Sequence, residues 1–403
     1  MVHLASNIRL DDTATGTSTG IICEPTVAMS GLRMMVTGNW FASRSTDGGQ
    51  TWTHVDPFTE FPSDHGRFCC DQIVHYSREH RLWVWLLQYM PVAGSNIVRV
   101  AVSRTGRSGS WHYWDVRPVD ADPSWTEVWL DYPDLAESAE HLYLSFNAFD
   151  SMNAWRGSTV LRFPFADLLA RENLTRRAWS TSSFGSLRFA QGSSDIMWFA
   201  AHTGSATRLQ VFSWADDEAD VVSRQVGIGP WSSRSYASTG PDGVNWLART
   251  DWRITAGWRG QGLLGFAWTA SPRPGRPHNY VRVVRIDEQA MIVVDEPDLW
   301  SPSGAWAYPA AAPNARGEAG LAAFFGGPTH PAHAVGHLDG RTGAWDMTVT
   351  STSTHSPPQA AWGDYLSVRR HPALRTRWVA SGYTLEGGQN RRNVEPRVVV
   401  FGP

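Results

Sequence analysis

The sequence predicts an all-β chain folded as a seven-bladed β-propeller of four-stranded blades, with six blades as the alternative count. Three observations carry this. Seven apolar, strand-like segments recur at intervals of roughly 50 to 67 residues, the size of one four-stranded blade with its loops. Glycine (36) and proline (24) are spread throughout, and tryptophan is abundant (22), which suits short strands and turns better than long helices. No linker-like stretch interrupts the chain, so one domain is expected over residues 1–403.

The seven segments are Leu32–Trp40, Leu82–Met90, Leu142–Asp150, Ile196–Gly204, Leu263–Ser271, Ala319–Gly327 and Arg377–Leu385, read as the second strand (B) of each blade. Before each lies a shorter segment read as the innermost strand (A). These are Cys23–Val27, Cys70–Val74, Leu130–Asp134, Leu187–Ala190, Trp246–Arg249, Trp306–Pro309 and Trp362–Leu366. The fifth is the least regular, and its strand could also begin nearer Trp252. Strands C and D follow as Phe41–Thr46 and Thr51–Val55, Ile97–Ser103 and Trp111–Val116, and Ala334–Leu338 and Trp345–Val349, with a tryptophan at or near the start of D in all three units. One helix is expected over Phe165–Glu172. The last unit supplies only three strands, ending in Glu395–Phe401, while His3–Leu10 is strand-like and precedes the first unit. The N-terminal segment is therefore expected to close the ring as the outer strand of blade seven, leaving few open edges.

Between strands C and D of the first unit lies Ser45-Thr46-Asp47-Gly48-Gly49-Gln50-Thr51-Trp52, an S-x-D-x-G-x-T-W hairpin. Asp47 can accept backbone N–H groups across the turn, glycines supply positive φ, and Trp52 packs back beneath it. This stretch resembles the Asp-box (BNR repeat) of sialidase-like β-propellers. The resemblance implies the propeller architecture and is nearly silent on activity, since related propellers include hydrolases, lyases and binding modules.

Formal net charge is −3 with no basic run, so neither nucleic acid nor an anionic membrane is an expected partner. No apolar stretch reaches 18 residues, and a soluble protein, secreted or cytoplasmic and monomeric, is expected. The three cysteines, Cys23, Cys69 and Cys70, make no disulfide framework. Buried free thiols are expected, with a vicinal or Cys23-linked disulfide as the alternative. No metal site or cofactor is expected.

In a propeller, D-to-A and B-to-C loops open on one face, here called the near face. The A-to-B and C-to-D turns open on the other, which makes Asp47 structural. Strand-A starts then bring Glu24, Asp71, Asp131, Tyr132, Arg188, Arg249, Tyr308, Asp364 and Tyr365 to the near face. Strand-B ends bring Asn39, Trp40, Gln88, Tyr89, Asn147, His202, Trp268 and Tyr383. Polar groups confined to one end of apolar strands describe a ligand pocket, although acids there could instead bond neighbouring backbone N–H groups.

Aromatic faces with Asn, Gln, Asp and Arg suit a carbohydrate. Asp71, Asp131 and Asp364 are the candidate acids and bases of glycoside hydrolysis, with Glu24 behind them. Sialidases use an acid-activated tyrosine and an arginine trio. The resemblance therefore extends to Asp131-Tyr132 and Asp364-Tyr365, while Arg188 and Arg249 offer only two arginines and no Arg-Ile-Pro segment is present. A polysaccharide lyase would use Arg188 or Arg249 as neutraliser and His202, Tyr132 or His75 as base. A lectin would repeat the same polar residues in every blade, and these units differ. The residues favour an enzyme and leave hydrolase, lyase and lectin open.

Overall fold

A computed structural model describes residues 1–62 and 64–403, and it forms seven four-stranded antiparallel sheets arranged as the blades of a ring. The seven second strands fall where the apolar segments predicted, for example Leu82–Tyr89, Leu263–Ala270 and Trp378–Leu385. All eight residues of Leu82–Tyr89 are buried, because a middle strand is covered on both faces by the neighbouring blades. The outer strand Val222–Gly227 is largely exposed, since it meets a neighbour on one side at most. The core therefore lies in the radial seams between blades. At one seam Trp378 of blade seven donates to the Ala312 carbonyl of blade six at 2.9 Å, and at another Trp85 donates to Gln72, which itself donates to the Gly38 and Phe41 carbonyls of the preceding blade.

Blade seven is completed by His3–Arg9, which pairs antiparallel with Val394–Gly402, His3 opposite Gly402. The helix at Phe165–Ala170 is present where expected. Two innermost strands are not where the sequence placed them: Trp362–Leu366 is irregular, and the innermost strand of blade seven is Ser367–Arg370. Trp246–Arg249 is irregular, and the innermost strand of blade five is Ile254–Gly260. Its sequence, ITAGWRG, is built of small residues because the seam there is tight: a Cβ on Gly257 would lie 2.4 Å from the Phe189 carbonyl oxygen.

A recurring device ties the innermost strands around the axis. Thr26 Oγ1 accepts from Val74 N (2.9 Å), Asp134 Oδ2 from Phe189 N (2.9 Å) and Ser367 Oγ from Val27 N (3.0 Å). Asp134 is thus an acid that serves backbone groups of the next blade. On the opposite face, Asp47 Oδ1 accepts from Gln50 N and Thr51 N (both 3.0 Å), Ser45 Oγ donates to it, and Trp52 Nε1 donates to Gly49 O. Gly49 sits at φ 89°, and a Cβ there would meet Ile8 at 2.5 Å, so the turn admits no larger residue.

Candidate active site

Where the innermost strands begin, their ladders are broken. Register slips occur between Phe68 and Gln72, Asp131 and Asp134, Ile254 and Ala256, and Ala307 and Ala310. Glu24, Tyr132 and Tyr308, each directly before a proline, hold left-handed backbone at φ 48°, 55° and 55°. Such conformations cost about 1–3 kcal/mol apiece for non-glycine residues and persist only where packing imposes them. In these four blades the slips release neighbouring side chains from strict alternation between the two faces.

The result is a compact acidic cluster. Glu24, Asp71 and Tyr365 lie together at its centre, and Glu24, Asp131 and Asp364 are close enough to Asp71 or to one another to interact electrostatically. Asn39 Nδ2 donates to Glu24 Oε2 at 2.8 Å, and Gln88 Nε2 donates to Asp131 Oδ1 at 2.9 Å. Burial, then the negative charges of Asp131 and Asp364, pushes the Asp71 carboxyl up to about 8. Burial and Asp71 hold Glu24 well above its ordinary range, and burial raises Asp131 against the pull of Gln88. Among the described residues no group of three or more acidic, histidine or cysteine side chains is arranged to hold a metal ion. The charge is instead met by protons and guanidiniums.

Arg253 supplies most of that positive charge. It bonds Asp364 at 3.2 Å and Asp251 at 2.5 Å, and its guanidinium lies 4.0 Å from the centroid of Tyr132. Burial works against its charge, but Tyr132, Asp251 and Asp364 outweigh burial and hold it above the usual arginine range. Arg253 and Asp251 were not anticipated: the strand they precede was placed first at Trp246–Arg249, and the alternative start nearer Trp252 is the one close to the observed Ile254. Arg249 still reaches Asp364, at 3.5 Å, from a half-exposed position in the preceding loop. Arg188 lies below the cluster, paired with Asp134 at 2.9 Å and 5.5 Å from the Tyr132 ring centroid.

The remaining predicted residues divide. Tyr132 and Tyr365 face one another with centroids 6.0 Å apart, and burial raises both phenols. Tyr308 is buried beside Trp246 and Phe324, and Tyr383 is buried against Trp362, its oxygen accepting from Gly363 N at 2.8 Å. Asn147 braces the Ser186 turn through Ser186 N and Oγ. Tyr89 points away from the axis, into a cluster with Arg99 and Asp115. The period of two explains this: Gln88 takes the axial side, so its neighbour cannot.

His202 and Trp268 form a separate aromatic box with Trp231 and Trp252. Burial drives the imidazole down to about 3, so it is neutral at ordinary pH. Trp40 lines another cavity, beside a disulfide between Cys69 and Cys70. The expectation of free thiols therefore fails for this pair. The slip from Phe68 to Gln72 releases adjacent side chains from pointing oppositely, as a regular strand would require, and only Cys23 remains a free, buried thiol. His75 sits further along its strand from the cluster and pairs with Glu137 at 3.2 Å.

No family model matches the chain, and no curated protein matches it. Among solved structures it is similar to an α-L-arabinofuranosidase from Fusarium graminearum, at 11% identity over 98% of this chain and 97% of that one, with a TM-score of 0.50. It also resembles a quinohemoprotein alcohol dehydrogenase from Comamonas testosteroni (9% identity, 99% and 76% covered, TM-score 0.47) and a Hadza microbial sialidase (12%, 82% and 68%, 0.47). What this chain shares with the arabinofuranosidase at such identity is the fold alone. No helix among the described residues is long and apolar enough to cross a membrane.

Proposed function

We propose that this protein is a carbohydrate-active enzyme that hydrolyses a glycosidic bond above the carboxylate cluster. The observation that carries this reading is the contrast between two neighbouring acids. Asp71, pushed up to about 8, keeps its proton at neutral pH, while Asp364 is ion-paired to Arg253 and Arg249. Environments that separate two carboxyl groups in this way divide them into acid and base. Asp71 would give its proton to the leaving glycosidic oxygen as the C–O bond breaks. Asp364 would take a proton from the water that bonds to the anomeric carbon, or attack that carbon itself before water replaces it. Burial with Asp131 and Asp364 would keep Asp71 protonated, Asn39 would hold Glu24, and Gln88 would orient Asp131 as a binding or auxiliary carboxylate. The arabinofuranosidase likeness is compatible with a sugar substrate and adds only the fold.

Two alternatives have less support. A tyrosine nucleophile needs an accessible phenolate, and burial followed by the charges of Asp71 and Glu24 holds the Tyr365 phenol well above its usual range. A lyase needs an arginine free for a uronate carboxylate, whereas Arg188 is committed to Asp134, Arg253 to Asp251 and Asp364, and Arg249 also reaches Asp364, at 3.5 Å. A neutral His202 walled by indoles is also a weak base.

The test is wild type against Asp71→Asn and Asp364→Asn on a panel of neutral and uronate-containing polysaccharides. Products are followed by new reducing ends and by absorbance of an unsaturated uronate. Reducing ends without that absorbance, lost in both variants, are the expected result. The unsaturated chromophore would move the assignment to a lyase, and binding without product would move it to a lectin.

A further inference from the structure

Two cavities open on the same face as the acidic cluster, and each adjoins it in sequence. The first, about 820 Å³, lies between blades four and five and is lined by His202, Trp231, Trp252, Arg234 and a run of serines. Trp252 directly precedes Arg253, the cluster's main cation, and leaves 47% of its surface exposed. The second, about 420 Å³, lies between blades one and two and is lined by Trp40, Phe58, Met90 and the Cys69–Cys70 disulfide, with Arg67 and Arg391 at its margin. Cys70 directly precedes Asp71, and Phe58 and Met90 are 42% and 40% exposed.

In a ring of seven, the gap between blades four and five is three steps from the gap between blades one and two, which places it almost across the axis. The acidic cluster lies at the axis between them. Both cavities offer flat apolar surface beside hydroxyl and guanidinium donors, the combination that a pyranose or furanose ring meets with its C–H face and its hydroxyls. A single terminal sugar over Asp71 would leave both aromatic walls uncovered.

We infer that the substrate is a glycan chain that occupies both cavities at once, so that an internal linkage, and not only a chain end, lies over the carboxylates. This inference rests on the carbohydrate reading above but not on catalysis, because chain binding is measurable without cleavage. Affinity should then grow with chain length until both sites are filled and should stop growing beyond that.

The experiment is binding of the Asp71→Asn protein to defined linear oligosaccharides of two to eight units from the arabinan, xylan, mannan, galactan, cellulose and polygalacturonate series. Trp252→Ala and Trp40→Ala are measured in the same background. The expected result is a rise of at least about tenfold in affinity between short and long members of one series. Each tryptophan variant should lose about tenfold for long members and much less for short ones. Trp252→Phe and Phe58→Ala serve where an alanine variant does not fold. Affinity independent of length, or lost through only one cavity, would overturn the inference while leaving a hydrolase acting on chain ends intact. Length-dependent binding without cleavage by the wild type would sustain it and remove the hydrolase reading. No binding to any series would overturn it.

Discussion

Asp47 and Asp71 are the same side chain placed in opposite worlds. Asp47 is solvent-facing in a hairpin on the far face, and its oxygens collect donors: the Thr51 hydroxyl first, then Thr51 N, Ser45 Oγ and Gln50 N. Those donors favour the charged form, and its carboxyl is held below the usual range. Asp71 is enclosed on the near face among other carboxyl groups, and its carboxyl rises to about 8. The first arrangement costs the protein nothing and holds a turn. The second destabilises the charged fold, and acids crowded in this way collect where chemistry is done.

The sharpest way to break this contrast is Asp71→Asn. Removal of the proposed general acid should lower kcat/KM by about a thousandfold, read on the substrate found in the polysaccharide panel. The same variant should be more stable than wild type by about 1–3 kcal/mol at pH 8, read by urea unfolding, because an amide cannot be forced to ionise among like charges. The pH dependence has a definite sign. With a native value near 8 and an unfolded value near 4, the folded state holds the extra proton between those limits, so wild-type stability should fall as pH rises from about 4 to 8 and level off above. Urea midpoints at pH 5, 7 and 9 should show that slope in wild type and a shallower one in the variant. Wild-type kcat/KM should also decline above about pH 8.

Arg253→Met comes next. It leaves Asp364 and Asp251 without their buried cation, and a loss of about 3 kcal/mol in stability is expected, with a rate loss of about a hundredfold. Asp47→Ala should lower the urea midpoint at neutral pH and leave kcat/KM unchanged. Because Asp47 is held low in the fold, its contribution is present above about pH 4 and fades below it, so the two urea curves should converge in acid. His202→Gln is the smallest: the midpoints of the pH–rate profile should not move, since an imidazole near 3 contributes no limb around neutrality.

The seven blades were legible because strand B is covered on both sides and must be apolar throughout, which leaves a continuous run such as LWVWLLQY. The closing strand was legible because one unit lacked a fourth strand and one strand-like segment lacked a unit. Asp71, Asp131 and Asp364 were legible as acids at the mouths of apolar strands, and the competing backbone role fell to their neighbour Asp134. Arg253 was not, because Trp246–Arg249 imitates the other strand starts, whereas the true strand is built of small residues for a tight seam. Tyr89 was assigned to the axis without regard to its parity with Gln88. The Cys69–Cys70 bond depends on a local break in pairing, and no pattern of residue types announces such a break.

The pairing of His3 with Gly402 has a consequence for how the molecule is made. During synthesis His3–Arg9 emerges ahead of every blade, yet its partner Val394–Gly402 follows six complete blades and two strands of the seventh. Until that partner emerges it must wait unpaired, a free edge able to dock elsewhere. The entropy of closing so long a loop grows only with the logarithm of its length, so the finished ring is not heavily penalised at equilibrium. The penalty falls on time: assembly ends with the most distant contact in the chain.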